Sequence, residues 1–105
     1  MKTIFIDTLI ELAAHDERIY LVTGDLGYPF IWEFQQKFPD RFFNIGVAEQ
    51  NMIGIAAGLA LSEKIVFAYS IIPFLTMRPF EQIRNDICHQ NLSVRLIGVG
   101  GGLAY

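Results

Sequence analysis

The chain contains a single cysteine, Cys88, and no cluster of lysine or arginine among its 105 residues. One cysteine cannot form a disulfide within the chain, and nothing else in the sequence indicates an oxidising compartment, so we expect a cytoplasmic protein. The formal net charge is −3, which offers no electrostatic basis for binding nucleic acid or an anionic membrane surface. His15 and His89 pair with neither the cysteine nor a carboxylate at the spacing of metal ligands, so we expect this chain to form no metal site.

Long hydrophobic runs are also missing. The longest uncharged segments, such as residues 65–77, are shorter than the about 20 apolar residues that span a bilayer, and this one contains Pro73. Charge is scarce too, because 18% of the residues are charged whereas 52% are hydrophobic. This excess of apolar side chains in one small domain predicts that part of its surface packs against another domain or subunit.

The hydrophobic pattern predicts one domain over residues 1–105 in which helices and strands alternate. Thr3 is a plausible N-cap for the first helix. The predicted helices occupy residues 3–14, 31–38, 50–61 and 79–89, and the predicted strands occupy residues 19–23, 42–45, 64–69 and 94–99. The expected buried stripe of the first helix comprises Ile4, Thr8, Leu9, Leu12 and Ala13.

Short buried strands separated by helices imply an α/β fold with a mostly parallel sheet and helices on both faces. In such sheets the ligand site lies beyond the carboxyl ends of the strands. The sequence stops soon after the last predicted strand, on the glycine-rich turn formed by Gly100, Gly101 and Gly102. We therefore expect the domain to be incomplete at its C-terminus.

Glu49 stands immediately before residues 50–61, which carry no formal charge and are mostly apolar or small. A helix N-terminus stabilises an anion by roughly 0.3–1 kcal/mol, whereas full burial disfavours the ionised carboxyl more strongly. We therefore expect Glu49 to be buried, to hold a proton near neutral pH and to act as a general acid and base. Gly54, Ala57 and Gly58 are expected to bring this helix close to the sheet. The alternative is a glutamate that only stabilises the start of the helix.

The segment RFFNIGVAEQNMIGIAAGLAL, followed by AYSIIPFLTMRPFEQIRN and NLSVRLIGVGGGLAY, resembles the pyrimidine-binding domain of transketolase-like, thiamin diphosphate-dependent enzymes. The resemblance extends over residues 19–105 and implies a thiamin diphosphate-binding fold of the pyrimidine type. It also implies that Glu49 hydrogen-bonds N1′ of the cofactor's aminopyrimidine and promotes its imino tautomer. The cofactor then serves as the electron sink for cleaving a carbon–carbon bond of a ketose.

The resemblance implies roles for three further residues. Phe74 matches an aromatic that packs against the pyrimidine ring, although core packing would also explain it. Asp25 matches an acid near the thiazolium, and a turn-forming role is equally open. Arg78 matches an arginine near the acceptor substrate in deoxyxylulose-phosphate synthases and could bind a sugar phosphate. A salt bridge to Glu81 is the alternative for Arg78.

Two positions of the cofactor pocket depart from the transketolase pattern. Ile71 stands where a second aromatic is common, and Met77 stands where some members have tyrosine. Both could still enclose the ring, but they keep open a non-catalytic assembly domain of the same fold. Gln50 and Asn51 replace the Gln-His pair of deoxyxylulose-phosphate synthases, which favours a transketolase over a synthase.

A diphosphate-binding motif is not recognisable. Gly24-Asp25-Leu26 lacks the last glycine of the family's Gly-Asp-Gly motif, and the glycines that follow the last predicted strand indicate a turn. The resemblance therefore implies that a diphosphate-binding domain or subunit, in a homo-oligomer or hetero-oligomer, binds most of the diphosphate and its Mg²⁺ or Ca²⁺. The expected protein is a transketolase, for example the C-terminal subunit of a two-chain enzyme, that transfers a two-carbon ketol unit between sugar phosphates. This chain alone should be inactive.

Overall fold

The computed structural model describes residues 2–105. The first residue of the predicted 1–105 domain lies outside that range, so the domain bounds stay a prediction. The helices are α1 (Lys2–His15), α2 (Trp32–Lys37), α3 (Glu49–Leu61), α4 (Ile72–Met77) and α5 (Phe80–Gln82), which continues into a π-helical segment, Ile83–Cys88. The strands are β1 (Ile19–Thr23), β2 (Phe42–Asn44), β3 (Ile65–Ile71) and β4 (Val94–Val99), and a 3₁₀ turn, Pro39–Arg41, precedes β2.

The four strands form one sheet in the order β2-β1-β3-β4, and every neighbouring pair is parallel. In the centre of the sheet Val22 of β1 is level with Ala68 of β3, which is level with Leu96 of β4. The predicted α/β class is confirmed. Because all strands run in one direction, their carboxyl ends meet at one edge, where such folds bind ligands.

The two faces of the sheet carry different packed clusters. Helices α1 and α2 cover one face, which we call the aromatic face. Its buried residues are Ile6, Leu9, Ile10, Ala13, Ile19, Leu21, Ile31, Phe34, Phe42 and Tyr69. Helix α3 and the helical residues 80–88 cover the other, which we call the aliphatic face. Its buried residues are Val22, Met52, Ile53, Ala56, Ala57, Val66, Ala68, Leu75 and Ile87.

Helix α1 buries a different stripe from the predicted one. It already includes Lys2, so Thr3 lies in its first turn and is not the N-cap. Ile4 and Leu12 are exposed, and the residues that face the sheet are Ile6, Leu9, Ile10 and Ala13. Leu9 and Ala13 were predicted correctly, whereas Ile4, Thr8 and Leu12 were wrong. The helix carries apolar side chains on more than one side, and only contacts with the sheet select among them.

Helix α3 is also oriented differently from the prediction. Ala57 faces the core, but Gly54 and Gly58 are exposed, and a Cβ added at either would meet no atom within 4 Å among the described residues. These two glycines therefore do not bring the helix close to the sheet. Since residues 50–61 are apolar or small on nearly all sides, the sequence could not show which side was buried.

Helix α4 was not predicted, because residues 70–78 between the third predicted strand and the last predicted helix were assigned to no element. Pro73 lies in the first turn of α4, where its missing N–H is not required. The helix begins directly where β3 ends, so it carries Phe74 and delivers Arg78 beside the carboxyl edge of the sheet. Within residues 2–105, none of the helices has the length and apolar character needed to cross a membrane.

Candidate functional site

Glu49 is the first residue of α3, and a constrained turn brings it to the sheet edge. The Ile45 N–H donates to the Thr23 carbonyl at 2.9 Å, which ties the start of the turn to the end of β1. The Gly46 N–H donates to Asn44 Oδ1 at 3.0 Å, and Gly46 has a positive φ of 83°, which glycine adopts without strain. Helix α3 therefore begins with Glu49 pointing inward, only 3% exposed.

The two oxygens of the Glu49 carboxyl have different surroundings. Oε1 accepts a hydrogen bond from Arg78 Nη1 at 2.9 Å, whereas the buried Oε2 has no hydrogen-bond partner among the described residues. The N-cap of α3 is Ala48, and Glu49 is the acidic residue of its first turn, so a role in stabilising the start of the helix stays open beside a role in ligand binding. A buried carboxyl oxygen without a partner is costly, and such atoms mark sites where a ligand completes the hydrogen bonding.

Ser70 and Gly24, which the sequence reasoning did not assign to the site, define the space around Oε2. Ser70 is fully buried at the end of β3, and its Oγ also has no partner among residues 2–105. A Cβ added at Gly24 would lie 3.3 Å from Glu49 Oε2 and 3.7 Å from Ser70 Oγ. Both unpaired atoms therefore line one small space that glycine leaves open. Their position just at or beyond strand ends was the signal that could have identified them.

Arg78 contacts both Phe74 and Glu49, and the functional roles predicted for these residues stay predictions. The Arg78 guanidinium carbon is 4.0 Å from the centroid of the Phe74 ring while Nη1 holds Glu49. Arg78 thus pairs with Glu49 and not with Glu81, the partner that the alternative predicted. Beside these residues lies an open depression of about 570 Å³, lined by Ala48, Glu49, Gln50, Asn51 and Arg78.

The remaining predicted residues do not line the depression at Glu49. Asp25 adopts a left-handed φ of 61° after β1, and its Oδ1 accepts a hydrogen bond from Asn44 Nδ2 at 2.9 Å. Ile71 lines a separate hollow of about 210 Å³ with Tyr69. Met77 is exposed. Neither Ile71 nor Met77 lines the depression at Glu49, and the cofactor roles of all three stay predictions.

The chemistry of this cluster suits a flat heterocycle better than a bare metal ion. Among residues 2–105 no three histidine, cysteine or acidic side chains are grouped to hold a metal. A buried carboxyl oxygen can share a hydrogen bond with a ring nitrogen, and an aromatic side chain can pack against the ring. Glu49 Oε2 and Phe74 supply these two groups.

Comparison with known proteins shows which proteins this chain resembles. The family model described as "Transketolase, pyrimidine binding domain" matches residues 1–105. A Methanocaldococcus jannaschii protein named as a transketolase C-terminal section is 46% identical over 92% of this chain and 31% of its own length. One of the subunits of an apulose-4-phosphate transketolase from Phocaeicola vulgatus is 41% identical over 96% of this chain and 33% of its own length.

A solved structure is also similar. A split gene transketolase described as an inactive beta4 tetramer superposes with a TM-score of 0.81 at 40% identity, over 90% of this chain and 32% of that one. These matches confirm the resemblance that residues 41–61 indicated. The chain spans about a third of the length of the relatives it matches.

Proposed function

This chain belongs to the family of transketolase pyrimidine-binding domains, and on that premise we propose that it forms the pyrimidine side of a thiamin diphosphate site in a transketolase-like transferase. The observation that carries the proposal is Glu49, which is 3% exposed and has a buried Oε2 without a partner among the described residues. A buried acid with one unused oxygen is the group needed to bind a ring nitrogen and to exchange a proton with it.

The residues present fit the aminopyrimidine of the cofactor. The ring is flat and carries N1′ in its plane, so it needs one hydrogen-bonding group at its edge and one apolar surface at its face. Glu49 Oε2 provides the first and Phe74 provides the second. Gly24 and Ser70 shape the space at the carboxyl, since a side chain at position 24 would crowd Oε2.

The chain's own residues then have distinct tasks. When bound, thiamin diphosphate supplies the electron sink for cleaving the bond next to a ketose carbonyl. Glu49 shares a proton with N1′, and the buried strands around it exclude water that would compete for that proton. Phe74 orients the ring, and the half-exposed Arg78 is placed at the rim to meet an anionic sugar phosphate.

A partner domain or subunit completes the site in this proposal and binds most of the diphosphate with its Mg²⁺ or Ca²⁺. Exposed apolar side chains support it, because Val47, Met77 and Phe80 are large, exposed and close in sequence to residues at the depression. Surfaces of this kind mark contacts with other proteins. The relatives named as a subunit and as a C-terminal section point the same way, to a homo-oligomer or hetero-oligomer.

The names of these relatives support the proposed transferred group and the proposed dependence on a partner. One acts on a sugar phosphate by name, and the solved split gene transketolase is described as inactive in its tetrameric form. We therefore assign to this chain a share in moving a two-carbon ketol unit between sugar phosphates, with no activity of its own. A cytoplasmic location stays a prediction.

The test replaces Glu49 in the protein reconstituted with its diphosphate-binding partner. Glu49→Gln keeps the shape and a hydrogen bond but cannot exchange a proton, so ketol transfer should fall by about 100-fold or more. Glu49→Asp should retain part of the activity. The matched control is Glu33→Gln, which changes an exposed carboxylate of α2 and should leave the rate unchanged.

Ketol transfer between sugar phosphates and calorimetric titration with thiamin diphosphate are the two measurements. Full activity in Glu49→Gln would contradict the catalytic role. Cofactor binding that responds to neither Glu49 variant, combined with no transfer activity in the wild type, would favour the non-catalytic assembly domain.

A further inference from the structure

The Arg78 side chain contacts the same two groups that the cofactor's pyrimidine would need. Nη1 donates to Glu49 Oε1 at 2.9 Å, and Cζ lies 4.0 Å from the Phe74 ring centroid. A guanidinium is flat, with its N–H donors in the plane and its faces free to stack on aromatic rings. It therefore resembles an aminopyrimidine in shape and in the position of its polar atoms.

The Arg78 side chain is partly open to solvent. It is 47% exposed, so solvent can hydrate the guanidinium after it leaves the Phe74 ring. Arg78 follows the last residue of α4 and precedes Pro79, which places it at a helix end. One cation–π contact, which is a weak interaction, holds it on Phe74, whereas the ion pair joins it to a carboxyl that is only 2% exposed.

We propose that Arg78 covers the Phe74 ring when the cofactor is absent and that the entering pyrimidine displaces it from Phe74 while binding the unpaired Oε2 of Glu49. Arg78 already lines the open depression with Gln50 and Asn51, so the displaced guanidinium would stay within that depression. Cofactor binding would thus release the positive charge that meets the anionic substrate. This inference rests on the proposed function, because it requires the aminopyrimidine to use Glu49 and Phe74.

The proposal predicts that removing the charge of Arg78 strengthens cofactor binding, whereas simple electrostatics predicts that it weakens cofactor binding. Thiamin diphosphate carries a negatively charged tail, so removing a nearby cation should weaken its binding. Displacement predicts the reverse, because a variant without the guanidinium has no contact to break before the pyrimidine enters. An Arg78 that stayed on Phe74 while N1′ bound Oε2 would also give weaker binding on removal.

The experiment is calorimetric titration of thiamin diphosphate with Mg²⁺ into the full protein in complex with its diphosphate-binding partner. Arg78→Met keeps a long side chain without charge. The dissociation constant of thiamin diphosphate from this variant should be about 3- to 10-fold lower than from the wild type, which means tighter binding. Arg78→Lys keeps the charge but cannot stack as a flat group, so its value should lie between those of Met and wild type. Arg84→Met removes an exposed cation of the following helical segment and should bind as the wild type or slightly more weakly.

The outcomes distinguish a failure of the Arg78 displacement from a failure of the proposed function. Binding by Arg78→Met that equals the wild type or is weaker would overturn the displacement and leave the proposed function intact. Cofactor binding absent in the wild type and in every variant would overturn the proposed function and this inference with it. Tighter binding in both Arg78→Met and Arg84→Met would reflect a general charge effect and would also overturn the displacement.

Discussion

The two faces of the sheet differ in whether they contain buried polar atoms without hydrogen-bond partners. On the aromatic face, rings pack against one another around Tyr69. Phe5 stacks on Tyr69 with centroids 6.1 Å apart, and Phe30 meets the same ring edge-on at 5.4 Å. Aromatic pairs at these separations are favourable beyond the area they bury. The buried side chains of this face are predominantly apolar, so the face has the character of a closed core.

The aliphatic face contains the polar exceptions. Within residues 2–105, the buried side-chain atoms without a hydrogen-bond partner are Glu49 Oε2, Ser70 Oγ and Gln82 Oε1. Glu49 starts α3, Gln82 ends α5, and Ser70 projects to the same side as Ala68, two residues before it on β3. All three lie on the side that carries the candidate site.

This contrast separates stability from function within one small sheet. Unpaired buried polar atoms reduce stability, and a fold retains them where a ligand uses them. The aromatic face contains none of these unpaired atoms among the described residues, so its side chains can be selected for packing alone. Substitutions on the aromatic face should therefore change the free energy of unfolding, whereas substitutions at Glu49 should change ligand binding without loss of stability.

The largest expected effect is on the aromatic face, at Phe34. This side chain is fully buried and its ring lies 5.1 Å from that of Phe38. Phe34→Ala should lower the free energy of unfolding by about 3–5 kcal/mol, because it removes buried area and leaves a cavity. Denaturant unfolding followed by circular dichroism measures it. Phe43→Ala, at a partly exposed phenylalanine of β2, is the control and should cost about 1 kcal/mol; a similar cost for both would contradict a closed aromatic core.

A second prediction uses the ionisation of Tyr69. Burial raises the pKa of Tyr69 to about 12, above its ordinary value of 10.0. A raised pKa means that the stability from the neutral phenol is fully present below pH 10 and is lost as the pH rises from 10 towards 12. Tyr69→Phe cannot ionise, so relative to wild type it should gain about 2 kcal/mol between pH 7 and pH 11.5. Denaturant midpoints at the two pH values test this, and an equal change in both proteins would place the phenol in contact with water.

The strand positions could be predicted from the sequence, because short apolar runs bounded by glycine or charge define them locally. The bounds of β1 and β4 agree with the prediction for this reason. The orientation of the helices could not be predicted in the same way. Ile4 of α1 and Gly54 of α3 were assigned to the core side, although both are exposed, since neighbouring apolar residues made either side plausible.

The site was predictable only as far as its residues carry a family pattern. Phe74 and Arg78 came from that pattern, whereas Glu49 was also singled out by its place before an uncharged helix, and Arg78 contacts both of the others in the structure. The ion pair between Glu49 and Arg78 joins residues far apart in sequence and depends on α4, which the sequence did not indicate. Ser70 and Gly24 become informative only when the parallel pairing of β1 with β3 brings them to one space.

The smallest expected change in stability is for Glu49→Met, and whether the free energy of unfolding rises or falls in this variant is informative. Glu49→Met replaces a buried, half-satisfied carboxyl with an apolar side chain of similar size and leaves Arg78 free to be solvated. The free energy of unfolding should therefore stay equal or rise by about 1 kcal/mol, while thiamin diphosphate binding falls. Denaturant unfolding and calorimetry measure the two quantities on the same samples. Glu33→Met, at an exposed carboxylate paired with Lys37, is the control and should change stability by less than about 0.5 kcal/mol. If Glu49→Met lowered the free energy of unfolding by several kcal/mol, the carboxyl would stabilise the fold. The assignment of stability to the aromatic face and ligand binding to the aliphatic face would then be wrong.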